Sequence, residues 1–417
     1  MKKIVMILLS MMFLCSYGYA EKINRALVDE QTLKNNPSIV VAKLNLDNAK
    51  RAYYGSFGSF FPSLTLFGTF SDAKFEKRER SYGLETSLSL FSGFKTYNDV
   101  KEKAALVKVA QANYDRAVSD AMCTARAEYV NLMWAYETVE LSVQIRERRI
   151  KNKDLIKFKY NSGDVDISSL KIEEANVAKA DHNLRRAQRY IETTSAALLK
   201  AIGRNDDAVI LETDEKIISL EQALSKPDYN SLVATIPEFL IAKYKQDASK
   251  AHNAMVKKCW LPSVDIVGDM MRSNKWSPDT EGWVAKINVS FPFFDGGKNY
   301  NNVKTASNNL KIASETLKDT INGLKVEAVK RYNDLIDAQE ALETETYHLS
   351  ALKLQAEVSS KKYLNGFLTY HDWHTMEDNY TNFQIELLDH RKKVEQSRGN
   401  WDNFLGKGFT NDKEENK

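Results

Sequence analysis

The residues best suited to chemistry lie close together near the C-terminal end of the chain, in the segment Tyr370 to Thr375. There His371 and His374 flank Asp372. Histidines three positions apart on a helix share a face, where they can bind one metal ion, and imidazole titrates near neutral pH. The same residues also suit a simpler role, in which Asp372 caps a helix and both histidines are solvated. The segment is therefore either a proton- or cation-sensitive site or an ordinary helix start.

Other signs of chemistry are missing from the sequence. It has no glycine-rich phosphate loop, no nucleophile elbow and no cysteines at zinc-ligand spacing, so we expect no enzyme, no cofactor and no structural metal centre. The formal net charge is +3, or +1 without Lys2 and Lys3, which gives no reason to expect a nucleic-acid partner. Cys123 and Cys259 are too few for a disulfide framework, and we expect both to be core residues.

The first twenty residues have the pattern of an export signal. Lys2 and Lys3 precede the apolar run Ile4 to Cys15, and Gly18 and Ala20 form a small-x-small cleavage pattern. We therefore expect residues 1–20 to be a signal peptide, since the apolar run is too short for a membrane anchor. No later segment approaches about 18 consecutive apolar residues, so entry into a membrane would require strands closed into a barrel.

The segment that carries the histidines occurs twice, with a constant offset of 203 positions. Such an offset over some forty residues indicates an internal repeat. The matching residues are Tyr160 with Tyr363, Gly163 with Gly366, Leu184 with Leu387, and Gly203 with Gly406. We expect a first repeat at 21–203, a linker at 204–236, a second repeat at 237–406 and a flexible tail at 407–417.

Proline placement allows two very long helices. The chain has no proline between Pro62 and Pro227 and none after Pro292, and both stretches are rich in good helix formers. Apolar residues recur there at intervals of three and four, and many of them are alanines, which indicates closely packed helices. A helix from about Phe94 to Tyr160 would reach roughly 100 Å, too long for an ordinary globular domain.

Upstream of each long helix, apolar and polar residues alternate. We expect β-hairpins at about 62–91 and 262–292, entered at Pro62 and Pro262 and left through turns that contain Gly93 and Gly296. A soluble hairpin and a pair of transmembrane strands give the same alternation, and four strands are too few to close a barrel around a pore. The membrane alternative therefore requires an oligomer. The alternating apolar residues are Leu64, Leu66 and Phe70, then Tyr82, Leu84, Leu88 and Leu90, and in the second hairpin Val264, Ile266, Met270, Trp283, Ala285, Ile287, Val289 and Phe291.

This order of elements resembles the TolC-type outer membrane efflux proteins over essentially the whole chain after residue 20. The most specific marks are the proline-led hairpins, the Phe-Ser-Gly and Phe-Asp-Gly-Gly exits, and Tyr363-Leu-Asn-Gly366 followed by Tyr370-His-Asp372. The resemblance implies a mainly α fold with a small β part, built as two tandem repeats of helix, β-hairpin, long helix and helix. It also implies a homotrimer, whose twelve-stranded β-barrel in outer membrane lipid continues into an α-helical periplasmic barrel.

The resemblance further implies a function and partners. The protein would be the exit duct of a tripartite efflux or type I secretion system, gated at its periplasmic tip. Its partners would be a periplasmic adaptor, also called a membrane fusion protein, and an inner-membrane pump. The alternative that the sequence leaves open is an exported periplasmic coiled-coil scaffold or adaptor that does not enter the membrane.

The resemblance also places gate residues on this chain. The family's closing tyrosine matches Tyr363, and one of its two tip carboxylates matches Asp372. The second carboxylate falls on Thr375 and an assisting basic residue falls on Leu368, so the pattern is incomplete. The opposing polar positions of the first repeat fall on Ser168 and Ser169. In a trimer, His371 and His374 would add up to six imidazoles beside three carboxylates.

Overall fold

The structure is a computed structural model, and it describes residues 20–72, 78–205, 209–217, 226–273 and 280–407. The expected export signal up to residue 19, the tail from residue 408 and the tips of both hairpin loops lie outside these ranges. Within the described ranges, no helix combines the length and the hydropathy that crossing a membrane requires.

The described chain is mainly helical, with two small sheets. In chain order the helices are α1 (Arg25–Asn35), α2 (Pro37–Ser56), α3 (Lys95–Asn161), α4 (Ile167–Ala201), α5 (Tyr229–Val233), α6 (Pro237–Lys257), α7 (Lys298–Leu364) and α8 (Tyr370–Phe404), with a short 3₁₀ turn at Phe57–Phe60. The strands are β1 (Ala20–Lys22), β2 (Ser63–Ser71), β3 (Glu79–Phe91), β4 (Ile210–Glu212), β5 (Ser263–Ser273) and β6 (Thr280–Ser290). The mainly α architecture with a small β part agrees with the expectation from the sequence.

The two longest helices are equal in length, and they are separated by the same offset of 203 positions as the sequence repeats. Helices α3 and α7 each hold 67 residues, and both ends of α7 lie 203 positions after those of α3. Helices α4 and α8 each hold 35 residues and have the same offset. The helix expected from about Phe94 to Tyr160 is thus found within one residue at each end.

Both Tyr-x-x-Gly turns end a long helix in the same way. Gly163 and Gly366 have φ of 79°, a left-handed conformation that costs glycine little because it has no Cβ. Each glycine N–H donates to the tyrosine carbonyl three residues earlier, and the following N–H donates to the carbonyl five residues before it, which is the Schellman pattern. The next helices begin at the N-caps Asp166 and Thr369. The turns therefore fix where α4 and α8 start.

The chain divides into two compact units. The first comprises Met1–Val40, Ala117–Tyr229 and Val326–Lys417, and the second comprises Val41–Arg116 and Asn230–Lys325. In the first unit the linker contributes to the core, because Leu211 of β4 is buried with Tyr129 and Leu198. Strand β4 pairs in parallel with β1, and both guanidinium nitrogens Nη1 and Nη2 of Arg204 lie 2.8 Å from the carboxylate oxygens of Glu21. The residues that follow the expected cleavage point are thus held by the linker.

The second unit contains a four-stranded antiparallel sheet of order β2-β3-β5-β6. Its register places Leu66, Leu84, Met270 and Trp283 side by side in one row across all four strands. These four side chains are 82%, 43%, 66% and 78% exposed. The apolar alternation in the sequence therefore forms one continuous, exposed face rather than the buried face of a small soluble domain.

Candidate functional site at the Tyr-x-x-Gly turns

An apolar cluster joins the two turns of the first unit. Ile156 of α3, Leu170 of α4, Tyr363 of α7 and Trp373 of α8 are buried together. The rings of Tyr363 and Trp373 are stacked, with centroids 4.8 Å apart and planes at 10°. All four helices thus contribute one side chain each, and burial of such large apolar groups is what holds the helix ends together.

Tyr363, the expected closing tyrosine, lies inside this cluster. Its hydroxyl oxygen is buried, and it makes no hydrogen bond within the part of the chain that the structure describes. Burial raises the pKa of Tyr363 to about 12, and the nearby carboxylates of Asp164 and Glu173 act in the same direction. The ring also lies 5.0 Å from the ammonium group of Lys159. Tyr363 is therefore a neutral side chain packed against other groups of this chain.

A buried carboxylate lies one helical turn beyond Trp373. Glu377 is 1% exposed, and it accepts two hydrogen bonds from Arg148, from Nε at 2.7 Å and from Nη2 at 2.8 Å. Asn152 and Ser360 donate to the same carboxylate at 3.2 and 3.1 Å, and Ser360 accepts from the indole N–H of Trp373 at 3.1 Å. This network connects α3, α7 and α8.

The network determines the protonation of Glu377. Burial alone would raise the pKa of this carboxyl, but the hydrogen bonds and charge of Arg148, with Asn152 and Ser360, outweigh burial and hold the pKa below its ordinary value. Glu377 is therefore ionised at neutral pH, and the guanidinium of Arg148 is stabilised in return. The bidentate geometry is the strongest that an arginine and a carboxylate form.

A second buried carboxylate lies on α4 and faces α8. Glu173 accepts a hydrogen bond from the hydroxyl of Tyr370 at 3.0 Å, and Nδ1 of His374 lies 2.9 Å from the same oxygen, Oε1. His374 also lies 3.3 Å from Asp378, which in turn lies 2.6 Å from Arg149. The imidazole of His374 stacks on the ring of Tyr370. His374 is thus surrounded by groups of its own chain.

These contacts shift the titration of His374. Its pKa is raised above the ordinary value of 6.5, first by the close contact with the Glu173 carboxylate and further by the charge of Asp378. Burial and the positive charge of Arg149 act in the opposite direction and are outweighed. The imidazole therefore favours its charged form more than a solvated histidine does.

The other predicted residues near the second turn make local contacts. The backbone N–H of Asp372 donates to the hydroxyl of Thr369 at 3.2 Å, and that hydroxyl donates to the Asp372 carboxylate at 2.7 Å. His371 is exposed, and its carbonyl accepts from Thr375. Asp372 thus has the helix-start contacts that the sequence allowed, whereas His374, three residues after His371, is not a solvated side chain.

Ser168 and Ser169 lie at the corresponding start of α4. Both hydroxyls donate to the carboxylate of Asp166, at 2.9 and 2.8 Å, and the backbone N–H of Ser169 donates to it at 2.8 Å. These donors hold the pKa of Asp166 below its ordinary value. The two serines therefore complete an N-cap. The structure brings Tyr363 into the buried apolar cluster and places His374 beside it, on the ring of Tyr370, whereas Asp372 stays exposed.

Over the described ranges, no group of three or more His, Cys, Asp or Glu side chains has the arrangement of a metal site. The sequence motifs do not mark Glu173, Glu377 or Trp373 as site residues. The spacing of Trp373, Glu377 and Tyr380 gave a possible signal, since residues three and four apart share one helix face. A glutamate on an otherwise apolar face then indicates a buried ion pair, which here is the pair with Arg148.

The chain is similar to a known protein family and to several solved structures. The family model for outer membrane efflux proteins matches residues 28–204 and 229–407. No curated protein matches significantly. A membrane protein from Pseudomonas aeruginosa is 15% identical, with a TM-score of 0.83 over 93% of this chain and 91% of that one.

Two further solved structures have the same fold. CusC, whose crystal structures concern folding and transmembrane channel formation, is 14% identical, with a TM-score of 0.81 over 94% of this chain and 95% of that one. The CmeC outer membrane channel of Campylobacter jejuni is 17% identical, with a TM-score of 0.78 over 92% and 86%. At these identities the likeness establishes the fold. The family model covers most of both halves of the chain, and the protein therefore belongs to the outer membrane efflux protein family.

Proposed function

We propose that the protein is the outer membrane exit duct of a tripartite efflux or type I secretion system. The observation that carries this proposal is the family match, which extends over both halves of the chain, 28–204 and 229–407. The duct would be a passive channel built from two tandem repeats. A periplasmic adaptor and an inner-membrane pump would supply the cargo and the energy.

The sheet of the second unit supports insertion in the membrane as a trimer. Strands β2 and β6 are its outer strands, and each pairs with one neighbour in the sheet. An unpaired strand edge is a ready partner for another strand. Three copies joined from β2 to β6 would close a barrel of twelve strands, and the exposed apolar row would then face lipid.

Membrane fractionation tests this proposal against the scaffold alternative. We expect the exported protein to stay with the outer membrane during a carbonate wash and to migrate in SDS gels as a trimer that heating dissociates. A coiled-coil scaffold would be released by carbonate and would show no heat-sensitive trimer. Release of the full-length protein by carbonate would therefore contradict membrane insertion.

We further propose that Asp372 lies at the gate, with His371 beside it. Both side chains are exposed in the protomer, in contrast to His374 and Tyr363. Three copies of Asp372 around an axis would attract cations, because like charges in a narrow passage create a strong local field.

Replacing Asp372 by alanine is expected to change the closed-state conductance of the purified channel in a planar bilayer and to weaken its block by divalent cations. The variant Asp372→Asn removes the charge but keeps an oxygen that can accept the hydrogen bond from Thr369. Equal effects in both variants would assign the change to charge. Unchanged conductance and unchanged cation block in both would contradict a role for Asp372 in the gate.

A further inference from the structure

Glu173 is fully enclosed, although it is a carboxylate. Its exposed fraction is 0%, and the groups that reach it are the hydroxyl of Tyr370 and the imidazole of His374, both at Oε1. Burying an ionised carboxylate without a positive partner is costly, because the low-dielectric interior does not replace its hydration. His374 is the titratable group that can supply that positive charge by direct contact.

The neighbouring charges form a short chain. Glu173 meets His374, His374 meets Asp378 at 3.3 Å, and Asp378 meets Arg149 at 2.6 Å. Arg149 is itself buried, with 7% of its surface exposed. The two carboxylates balance one guanidinium and one imidazolium. The group is therefore neutral overall when His374 carries its second proton, and it carries one net negative charge when that proton leaves.

We infer that the protonated, positively charged form of His374 stabilises the contact between α4 and α8 beside the Tyr-x-x-Gly turns. Loss of its second proton weakens that contact. The inference goes beyond the proposed gate, since it concerns a buried contact within one protomer. It also does not depend on transport, because Glu173 and His374 belong to the same compact unit of the chain.

Charged and titratable groups face His374 from several sides. Glu173 approaches His374 from α4, and Tyr370 and Asp378 approach it from α8 itself. The carboxylates of Glu173 and Asp378 favour the charged imidazole. From α3 comes Arg149, which opposes it. From α7, Tyr363 packs against the adjacent Trp373 and is neutral at physiological pH, since its pKa is about 12.

The direction of the pH dependence follows from these contacts. The pKa of His374 is raised in the folded protein, so the stabilisation is complete below the ordinary pKa of 6.5. It is lost as the pH rises from there through the higher pKa of the folded protein. The helix contact is therefore strongest in mildly acidic solution and weakest in alkaline solution.

Hydrogen exchange of the full-length protein in detergent, measured by mass spectrometry from about pH 6 to about pH 8.5, tests the inference. After correction for the intrinsic exchange rate, we expect the segments 167–175 and 370–378 to open more readily as the pH rises. One linked proton allows an increase in the opening constant of at most about tenfold per pH unit. The variant His374→Gln cannot be protonated, so its exchange should be independent of pH and match that of the alkaline wild type.

Two further variants complete the test. His371→Gln, which removes the exposed histidine three residues earlier, should keep the wild-type pH dependence. Glu173→Gln should weaken it, because the neutral amide no longer favours the charged imidazole and Asp378 is left as the carboxylate beside His374, and this variant preserves the test if His374→Gln fails to assemble. A wild type whose corrected exchange does not vary with pH would overturn the inference. So would a pH dependence that persists in His374→Gln, or one in Glu173→Gln that is as large as that of the wild type.

Discussion

Replacing Glu377 by alanine is expected to lower the free energy of unfolding by about 3 kcal/mol. Removing one member of a buried ion pair typically costs about 3–5 kcal/mol, because the remaining charge stays buried without a partner. We expect the lower end of this range, since the side chain of Arg148 is 33% exposed and can turn toward water. The same change also leaves Asn152 and Ser360 without their acceptor.

Guanidinium unfolding of the full-length protein, followed by helical circular dichroism, measures this effect. The repeat supplies the control, because Glu174 lies 203 positions earlier, is exposed and pairs with Lys171 on the helix surface. Glu174→Ala should change stability by less than about 0.5 kcal/mol.

The pKa of Glu377 lies below its ordinary value of 4.5, so the stabilisation by its carboxylate is present above that pH. The difference between wild type and Glu377→Ala should shrink as the pH falls below it.

Replacing Leu84 by arginine is expected to prevent most of the protein from reaching its membrane-inserted, trimeric form. Leu84 lies at the centre of the exposed apolar row, between Leu66 and Met270. If this face contacts lipid, an arginine near the middle of the bilayer costs about 2–4 kcal/mol. If the face contacts water, the same exposed substitution is nearly neutral, within about 0.5 kcal/mol.

The adjacent residue provides the matched control. Glu85 points to the opposite face of the same strand and lies directly across from Asp269 of β5. An arginine there meets an opposite charge, so Glu85→Arg should insert as well as the wild type. The carbonate-resistant fraction and the heat-sensitive trimer in SDS gels give the readout. Equal insertion of Leu84→Arg and wild type would contradict a lipid-facing row.

Much of the fold follows from local sequence features. Long proline-free stretches with apolar residues at intervals of three and four are sufficient to place α3 and α7, and period-two alternation is sufficient to place β2, β3, β5 and β6. The register between strands does not follow from local features, because the sequence of one strand does not specify which residues of its neighbours lie opposite it. The alignment of the row from Leu66 to Trp283 therefore depends on the pairing of all four strands.

The packing of the linker is a second feature that local sequence does not predict. The short strands β1 and β4 hold three residues each and pair across almost the whole first half of the chain. Strands this short carry too little periodicity to be recognised, and their pairing depends on the core around Tyr129 and Leu211. Local sequence features therefore predict a linker, but they do not predict that it packs into the first unit.

The region of the turns was predicted in position but not in its contacts. The repeated Tyr-x-x-Gly pattern located both turns, and Asp372 has the contacts of a helix start. The buried pairs of Glu173 with His374 and of Glu377 with Arg148 join helices that are far apart in sequence. Only the packing of α3, α4 and α8 determines that Glu377 is enclosed whereas Glu174, at the same place in the repeat, is exposed.

Electron cryo-microscopy of the full-length protein in lipid nanodiscs tests the central claim most directly. The proposed duct predicts a threefold particle in which β2 of one protomer pairs with β6 of the next, so that twelve strands close within the lipid. The row of Leu66, Leu84, Met270 and Trp283 should then face the acyl chains. A protein that stays outside the nanodisc, or a sheet whose outer strands remain unpaired, would contradict the account.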